Sequence, residues 1–152
     1  MAFIKSINIK GSGGVPKTPV NKSFIGKEKV RGDQQNDLKH HGGVDRAVCL
    51  FSIEIIQALK KEGHPISPGS TGENLTIEGL DWSLMTSGTT LSVGEAKIEL
   101  TRPAPPCKTI KDSFIDGRFI RISEQKNPGF SRWYARVLKE GVVCKNDKVI
   151  II

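Results

Sequence analysis

The 152-residue sequence has few aromatic side chains and no long apolar run, and each shortage excludes a class of protein. Aromatic residues make up only 6% of the chain, so there is little material for the platforms on which nucleic-acid bases stack. No uninterrupted apolar stretch approaches the roughly 18–20 residues that are needed to span a bilayer. The first residues pass directly into alternating sequence, without the apolar core of a signal peptide. We therefore expect a cytoplasmic protein that does not enter a membrane.

Cysteines are also scarce and widely separated. The three are Cys49, Cys107 and Cys144, and the sequence contains no CxxC pair. This spacing argues against a disulfide framework and against a structural zinc finger. Internal repeats, low-complexity blocks and long linkers are absent as well, so we predict a single domain over residues 1–152. A chain of this length can bury one core without disulfides.

Positive charge is in surplus. The chain has 23 Lys and Arg residues against 16 Asp and Glu residues, a formal net charge of +7. A charge of this sign implies an anionic partner, such as a phosphorylated small molecule, nucleic acid or a membrane surface. A nucleic-acid-binding barrel is one interpretation, but the scarcity of aromatic residues and the lack of a recognisable RNA-binding motif argue against it.

Short β-runs separated by glycine, proline and asparagine dominate the chain. The alternation from Phe3 to Ile9 predicts a half-buried strand, and Val20 to Val30 predicts a more polar extended region. The short apolar run from Arg46 to Phe51 is typical of a strand buried on both faces. Thr89 to Arg102 predicts a hairpin that turns at Gly94 and Glu95, with Thr89–Val93 antiparallel to Ala96–Thr101.

The rest of the chain predicts one further hairpin and little helix. The hairpin runs from Trp133 to Ile152 and turns near Glu140 and Gly141. Ser52 has the character of an N-cap, and a helix of about ten residues follows it and ends at Gly63. One or two short helices are expected between Asp112 and Asn127. Many short strands with one good helix predict a mostly β fold with minor α content, namely a closed barrel.

Polar groups are concentrated in a segment that precedes the buried strand, from Gly32 to Gly43. His40 and His41 are neighbours, and neighbours on a strand point to opposite faces, so at most one would face a pocket. Together with carboxylates such as Asp37, they suggest a metal or substrate site. The alternative is a polar turn held by Asx-type hydrogen bonds.

A second polar segment, Ser70 to Leu75, leads into a predicted strand. Glycine there permits close backbone approach, and the Asn74 side chain both donates and accepts hydrogen bonds. A simple turn that enters a strand explains the same residues. Two basic features, the glycine-rich stretch that ends at Lys17 and the cluster around Arg132 and Arg136, could bind phosphate; a solvated face is the alternative for the cluster.

The segment from Thr101 to Lys108 carries the strongest chemical signal. Its three prolines stiffen a loop after the predicted hairpin and so present a side chain at little entropic cost. Cys107 lies next to Lys108 and near Arg102, and this positive charge favours a thiolate, which is a soft metal ligand. The role of a small buried hydrophobic residue suits Cys49 and Cys144 better than it suits Cys107.

Four motifs in order, "GDQQNDLKHHGG", "RAVCLF", "GENLTIEGL" and a hairpin that ends in "RPAPPC", resemble the MOSC family, named for the C-terminal domain of molybdenum cofactor sulfurases. The match runs from about Phe3 to Ile152. The resemblance implies a mostly β closed barrel that binds the pterin-based molybdenum cofactor. It implies that Cys107 ligates the metal, and that other motif residues line the pocket: His41, Asp37, Glu73, Asn74 and Arg102.

On this basis we expect Lys17, Arg46, Lys108 and Arg132 to hold the cofactor phosphate, and His41 or Asp37 to handle protons. Similar enzymes reduce N-hydroxylated small molecules with electrons from a separate partner protein. The sequence shows no GxGxxG motif and no cysteine cluster for electron delivery, so a reductase of this kind would need such a donor. A non-catalytic cofactor or sulfur carrier, working with a cofactor-biosynthesis protein, is the alternative.

Overall fold

The computed structural model describes residues 1–34 and 43–152, and most of the regular structure in them is β-sheet. The strands are β1 (Ala2–Ile9), β2 (Thr18–Val20), β3 (Lys22–Ile25), β4 (Val48–Ser52), β5 (Leu75–Glu78), β6 (Thr90–Val93), β7 (Ala96–Ala104), β8 (Arg132–Lys139), β9 (Gly141–Cys144) and β10 (Lys148–Ile151). The α-helix is α1 (Ile53–Lys61). Short 3₁₀ helices cover Val44–Arg46, Trp82–Leu84, Lys108–Ser113, Ile115–Gly117 and Phe119–Ile122.

Seven strands close into a barrel. Their order is β10-β6-β7-β8-β4-β5-β1, and β1 pairs with β10 to complete the ring. β2 continues along the edge of β1 beyond β10, while β3 and β9 form a separate two-stranded sheet. The pairing of β4 with β5 is parallel, and the other strand pairs among the described residues are antiparallel. The predicted mostly β barrel is therefore confirmed.

The predicted hairpin around Gly94 is also confirmed. β6 and β7 pair antiparallel, with Val93 opposite Ala96 across the turn and Leu91 opposite Ile98. Gly94 has a φ of +54°, in the left-handed region that glycine adopts without strain. The inward side chains of both strands belong to the barrel core.

The second predicted hairpin is wrong, although its strands exist. β8 already has a hydrogen-bonded neighbour on each edge, β7 on one side and β4 on the other. Because a strand has only two edges, β9 cannot pair with β8 despite the tight connection at Glu140. β9 instead pairs with β3, and β10 pairs with β6 and β1.

α1 is the crossover between the two parallel strands, which a two-residue turn could not connect. All residues of β4 are buried, as predicted, and Ser52 at its end caps the helix by accepting a hydrogen bond from the Ile55 amide at 3.2 Å. The inward face of α1 is apolar and buried: Ile53, Ile55, Ile56 and Leu59. Among the described residues, none of the helices has the length and apolar character needed to cross a membrane.

The prediction for β1 needs correction. The polar side of β1 does not face solvent, because Ser6 and Asn8 on that side are buried. Asn8 donates to the Thr76 hydroxyl at 3.1 Å and accepts a hydrogen bond from Ser6 at 2.6 Å, so internal partners replace water.

The short helices predicted between Asp112 and Asn127 are confirmed. The 3₁₀ helices Ile115–Gly117 and Phe119–Ile122 lie in this range.

Candidate functional site

A cleft of about 240 Å³ lies where the loop before β2, strands β4 and β8, the turn before β5 and the start of the Lys108–Ser113 helix meet. Most of the residues that line the cleft have polar or charged side chains, and two of them are glycines. The lining residues are Gly14, Val15, Lys17, Asp33, Gln34, Arg46, Cys49, Thr71, Gly72, Asn74, Cys107, Thr109, Ile110, Arg132 and Tyr134.

The cleft brings together five of the residues selected from the sequence: Lys17, Arg46, Asn74, Cys107 and Arg132. Segments that are far apart in sequence therefore converge on one concave surface, as a binding site requires. Of the other selected residues, Glu73 is fully buried behind the lining. Asp37 and His41 lie outside the described residues.

Arg102 and Lys108 are exposed and are not among the described residues that line the cleft. β7 extends to Ala104, so Arg102 belongs to a strand and not to the proline-rich loop. It pairs with Tyr134 across the sheet, yet only Tyr134 faces the cleft. Sequence proximity to Cys107 therefore does not place these two cations on the cleft wall.

Cys107 precedes the 3₁₀ helix Lys108–Ser113 and is half-buried. Its Sγ atom lies 2.8 Å from the Thr109 hydroxyl, which lines the same wall. The sulfur is thus held at a cleft by a neighbouring polar group, with part of its surface exposed. A thiol in this setting is available to a ligand.

Cys49 is buried, as predicted, but it also lines the cleft, which the sequence did not indicate. It lies on β4 opposite Tyr134 of β8. Burial raises the pKa of the Cys49 thiol to about 11, and the nearby positive charge of Arg132 offsets this only in part. The cleft therefore holds a neutral thiol at Cys49 across the neutral pH range.

We expect a thiol reagent to modify Cys107 well before Cys49. Cys49 is 7% exposed, and with a pKa of about 11 only about one Cys49 thiol in a thousand is ionised at pH 8. The measurement is a time course of iodoacetamide labelling read by peptide mass spectrometry, with the half-buried Cys144 as an internal reference. Equal labelling rates at Cys107 and Cys49 would contradict this description of the cleft.

Arg132 is a buried cation with neutral partners. The residue is 5% exposed, and its guanidinium donates to the Thr71 carbonyl at 2.6 Å and to the Pro105 carbonyl at 3.2 Å. None of the ion pairs within the described residues includes Arg132, and its Nε atom has no hydrogen-bond partner there. Because buried charges are costly unless they are paired, this arrangement favours an anion in the cleft.

Asp33 organises the opposite wall. Its carboxylate accepts hydrogen bonds from the Lys17 amine at 2.5 Å, from the Asn74 amide nitrogen at 3.0 Å and from the Lys10 backbone at 2.9 Å. Asn74 in turn accepts a hydrogen bond from the Cys49 amide at 3.0 Å. Asp33 therefore neutralises Lys17. Arg46 and Arg132 also line the described cleft.

Glu73 holds the turn on which Arg132 depends. Its carboxylate accepts hydrogen bonds from the Gly69 amide at 3.0 Å and from the hydroxyls of Thr71 and Thr76, each at 2.9 Å. These contacts fix Thr71, whose carbonyl binds Arg132. Burial raises the pKa of the Glu73 carboxyl, although the hydrogen bonds it accepts act in the opposite direction. Glu73 is thus a scaffold for the cleft wall.

Glu73→Gln is expected to become progressively more stable than the wild type as pH rises. A carboxyl whose pKa is raised by folding contributes its full stability below the ordinary value of 4.5, and this contribution is lost as pH rises through the folded value. Glutamine does not titrate, and its side-chain amide can accept a hydrogen bond from the Gly69 amide while donating one to the Thr71 hydroxyl. The unfolding free energy of Glu73→Gln minus that of the wild type should rise by at most about 1.4 kcal/mol per pH unit.

Urea unfolding at several pH values between 4 and 8 measures this difference. Glu78→Gln is the matched control, because Glu78 forms an exposed pair with Lys5. The prediction fails if the unfolding free energy of Glu73→Gln minus that of the wild type stays constant or falls as pH rises. Burial would then not disfavour the ionised Glu73 carboxylate.

Three lining residues are not predicted from the sequence. Asp33 is one of several polar residues between Gly32 and Gly43, Thr71 lies in a turn, and Tyr134 belongs to no motif. The Tyr134 ring faces the Arg46 guanidinium at 5.9 Å, and burial raises the pKa of its hydroxyl. Tyr134 lies two residues after Arg132 on β8, and side chains two residues apart on a strand point to the same face. This spacing could have identified Tyr134 as a lining residue.

Comparisons with known proteins agree with this description. The MOSC domain family model matches residues 37–150. The uncharacterized protein YflK of Bacillus subtilis is 32% identical over 132 residues, which are 86% of this chain and 59% of YflK. A protein named reductase from Gibberella moniliformis is 26% identical over 134 residues, 85% of this chain but 23% of that protein. The chain thus spans about three fifths of YflK and a smaller part of the fungal protein.

The crystal structure of YiiM from Geobacillus stearothermophilus has the same fold. It superposes with a TM-score of 0.75 at 24% sequence identity and covers 100% of this chain and 75% of YiiM. The family model covers well over half of the chain, and the barrel predicted for the family is present. The chain therefore belongs to the MOSC domain family, whose members are associated with binding of the molybdenum cofactor.

Proposed function

We propose that the cleft binds the molybdenum cofactor, with Cys107 as the metal ligand and Arg132 as the main contact of the cofactor phosphate. The observation that carries this proposal is the position of Arg132, a buried cation without a carboxylate partner among the described residues, on the same cleft as a half-exposed thiol. A bound anion would provide the missing counter-charge. A soft metal would find a suited ligand in the thiol.

The remaining lining residues fit the same group. Arg46 adds a second cation, while the pairing of Lys17 with Asp33 limits the positive charge on the other wall. Gly72, at a φ of +85°, lines the cleft without a side chain, and an added Cβ there would lie 3.1 Å from a Val15 methyl carbon.

We further propose that the protein reduces N-hydroxylated small molecules. In such a reaction the N–O bond breaks, two electrons and two protons are taken up, and water leaves. The bound cofactor would supply the two-electron redox change, and a separate donor protein would supply the electrons. Asp37 or His41 would deliver protons in this scheme. The fungal relative that bears the name reductase supports a reductive role.

The test uses protein produced in a host that makes the cofactor. Molybdenum and pterin are quantified in the purified protein, and reduction of benzamidoxime is then followed with reduced methyl viologen as the electron source. Protein from a cofactor-deficient host is the control. We expect near-stoichiometric metal and conversion to benzamidine. Loaded protein that does not reduce the amidoxime would favour a non-catalytic cofactor or sulfur carrier. Protein that acquires no molybdenum would refute cofactor binding.

A further inference from the structure

The wall of the cleft beside Cys107 is formed by a segment with mainly short-range backbone bonding. This wall segment runs from Lys108 to Ile122 and contributes Thr109 and Ile110 to the cleft. Its backbone hydrogen bonds span three residues, such as Ile110 to Cys107 at 3.1 Å. Bonds of this kind shape the segment but do not fix it relative to the barrel. The position of the segment must therefore depend on side-chain contacts between it and the rest of the fold.

Hydrogen bonds to Ser70, Glu62 and His64, together with buried apolar side chains, hold the wall segment. Ser113 donates to the Ser70 hydroxyl at 2.9 Å, and Arg121 binds Glu62 with two hydrogen bonds of 3.0 and 2.7 Å. The third attachment involves His64, just after α1, whose Nδ1 atom accepts a hydrogen bond from the Ile115 amide at 3.1 Å. The buried apolar anchors are Ile110, Phe114 and Ile122.

His64 uses both of its ring nitrogens. The side chain is buried, with the residue 8% exposed, and it meets the Phe114 ring edge-on with centroids 5.4 Å apart. Its Nε2 atom lies 3.4 Å from the Glu62 carboxylate. Nδ1 therefore serves as the acceptor for the Ile115 amide, while Nε2 faces a carboxylate.

We propose that His64 is a positioning residue that fixes the cleft wall beside Cys107, because its Nδ1 atom accepts the hydrogen bond of the Ile115 amide. Glu62 and, beyond it, Arg121 are the described charged groups that face the imidazole, and they orient the ring from the Nε2 side. The inference stands whether or not the cleft binds a molybdenum cofactor.

The test follows the Ile115 amide, because it is the donor in question. Hydrogen exchange is measured by NMR at pH 7.5. We expect the protection of Ile115 to fall about tenfold in His64→Ala, the equivalent of one hydrogen bond. His64→Asn should keep the wild-type protection, since the asparagine Oδ1 replaces Nδ1 as an acceptor.

A second readout links the anchor to the cleft. At pH 7.5, alkylation of Cys107 by iodoacetamide should be several-fold faster in His64→Ala than in His64→Asn, because loss of the acceptor loosens the neighbouring wall. The Leu91 amide in the β6–β7 hairpin serves as the control for global stability, and its protection should not differ between the variants. The proposal is overturned if the Ile115 amide is as well protected in His64→Ala as in the wild type, or if Cys107 is alkylated equally fast in His64→Ala and His64→Asn.

Discussion

Replacing Cys107 with serine is expected to abolish retention of molybdenum while leaving the fold intact. Serine has nearly the same size, but its hydroxyl is far harder to deprotonate and is a harder ligand than a thiolate. Loss of residues that merely support a ligand typically weakens metal binding by about 10- to 100-fold, so loss of the ligand itself should lower the metal content at least that far. Cys107 is only half-buried, which is why its replacement should cost little stability.

Metal analysis of Cys107→Ser and Cys144→Ser, both produced in the cofactor-competent host, makes this comparison. Cys144 is the matched control because it is also half-buried but belongs to β9 and does not line the described cleft. Cys49 is a poorer control than the sequence indicated, since it lies on the cleft wall. Cys107→Ser protein that retains molybdenum with an unchanged coordination spectrum would show that Cys107 is not the ligand.

The second large effect is expected at Arg132. Arg132→Met keeps the length of the side chain and removes the charge that we assign to the cofactor phosphate. Hydrogen bonds to charged groups contribute about 1.5–3 kcal/mol, so cofactor affinity should fall by roughly 10- to 100-fold. The free energy of unfolding of the cofactor-free protein should change much less than the free energy of cofactor binding. Removal of a buried charge stabilises the fold, and this gain opposes the loss of two hydrogen bonds to the Thr71 and Pro105 carbonyls.

Arg136→Met is the matched control. Arg136 lies on the same strand, but it is exposed and pairs with Glu99 and Asp45. Exposed ion pairs contribute about 0–1 kcal/mol, so this variant should differ little from the wild type in stability and should load normally with cofactor. The readouts are the pterin content of purified protein and urea unfolding of the cofactor-free form. An Arg132→Met protein that loads as fully as Arg136→Met would exclude a phosphate contact at Arg132.

Local pattern was sufficient for individual elements and insufficient for their pairing. The β6–β7 hairpin and the Ser52 cap depend on residues close in sequence, and both were predicted correctly. The wrong hairpin prediction around Glu140 had a different origin. Both edges of β8 are paired with strands that are distant in sequence: β7 ends about 30 residues before β8, and β4 ends about 80 residues before it. Alternation within β8 and β9 carries no information about which distant strand claims each edge.

The candidate site shows the same division. Motif order placed Asn74 and Cys107 on one cleft, and charge selected Arg132. The pairing of Lys17 with Asp33 could not be predicted from the sequence, because it joins a loop to a segment 16 residues later through a buried contact. The sequence predicted the burial of Cys49 but not its position on the cleft wall. An apolar strand that is buried on both faces does not indicate which face borders a cavity.

The ring of strands has a consequence for the behaviour of this protein in crowded solution. β10 is short, yet it supplies hydrogen-bond partners to two strands at once, β1 through Ala2 and Phe3 and β6 through Leu91 to Val93. If β10 detached, both neighbours would expose unpaired N–H and C=O groups, which are templates for strand addition from another copy. The four residues of β10 thus keep the facing edges of β1 and β6 paired and protected from strand addition.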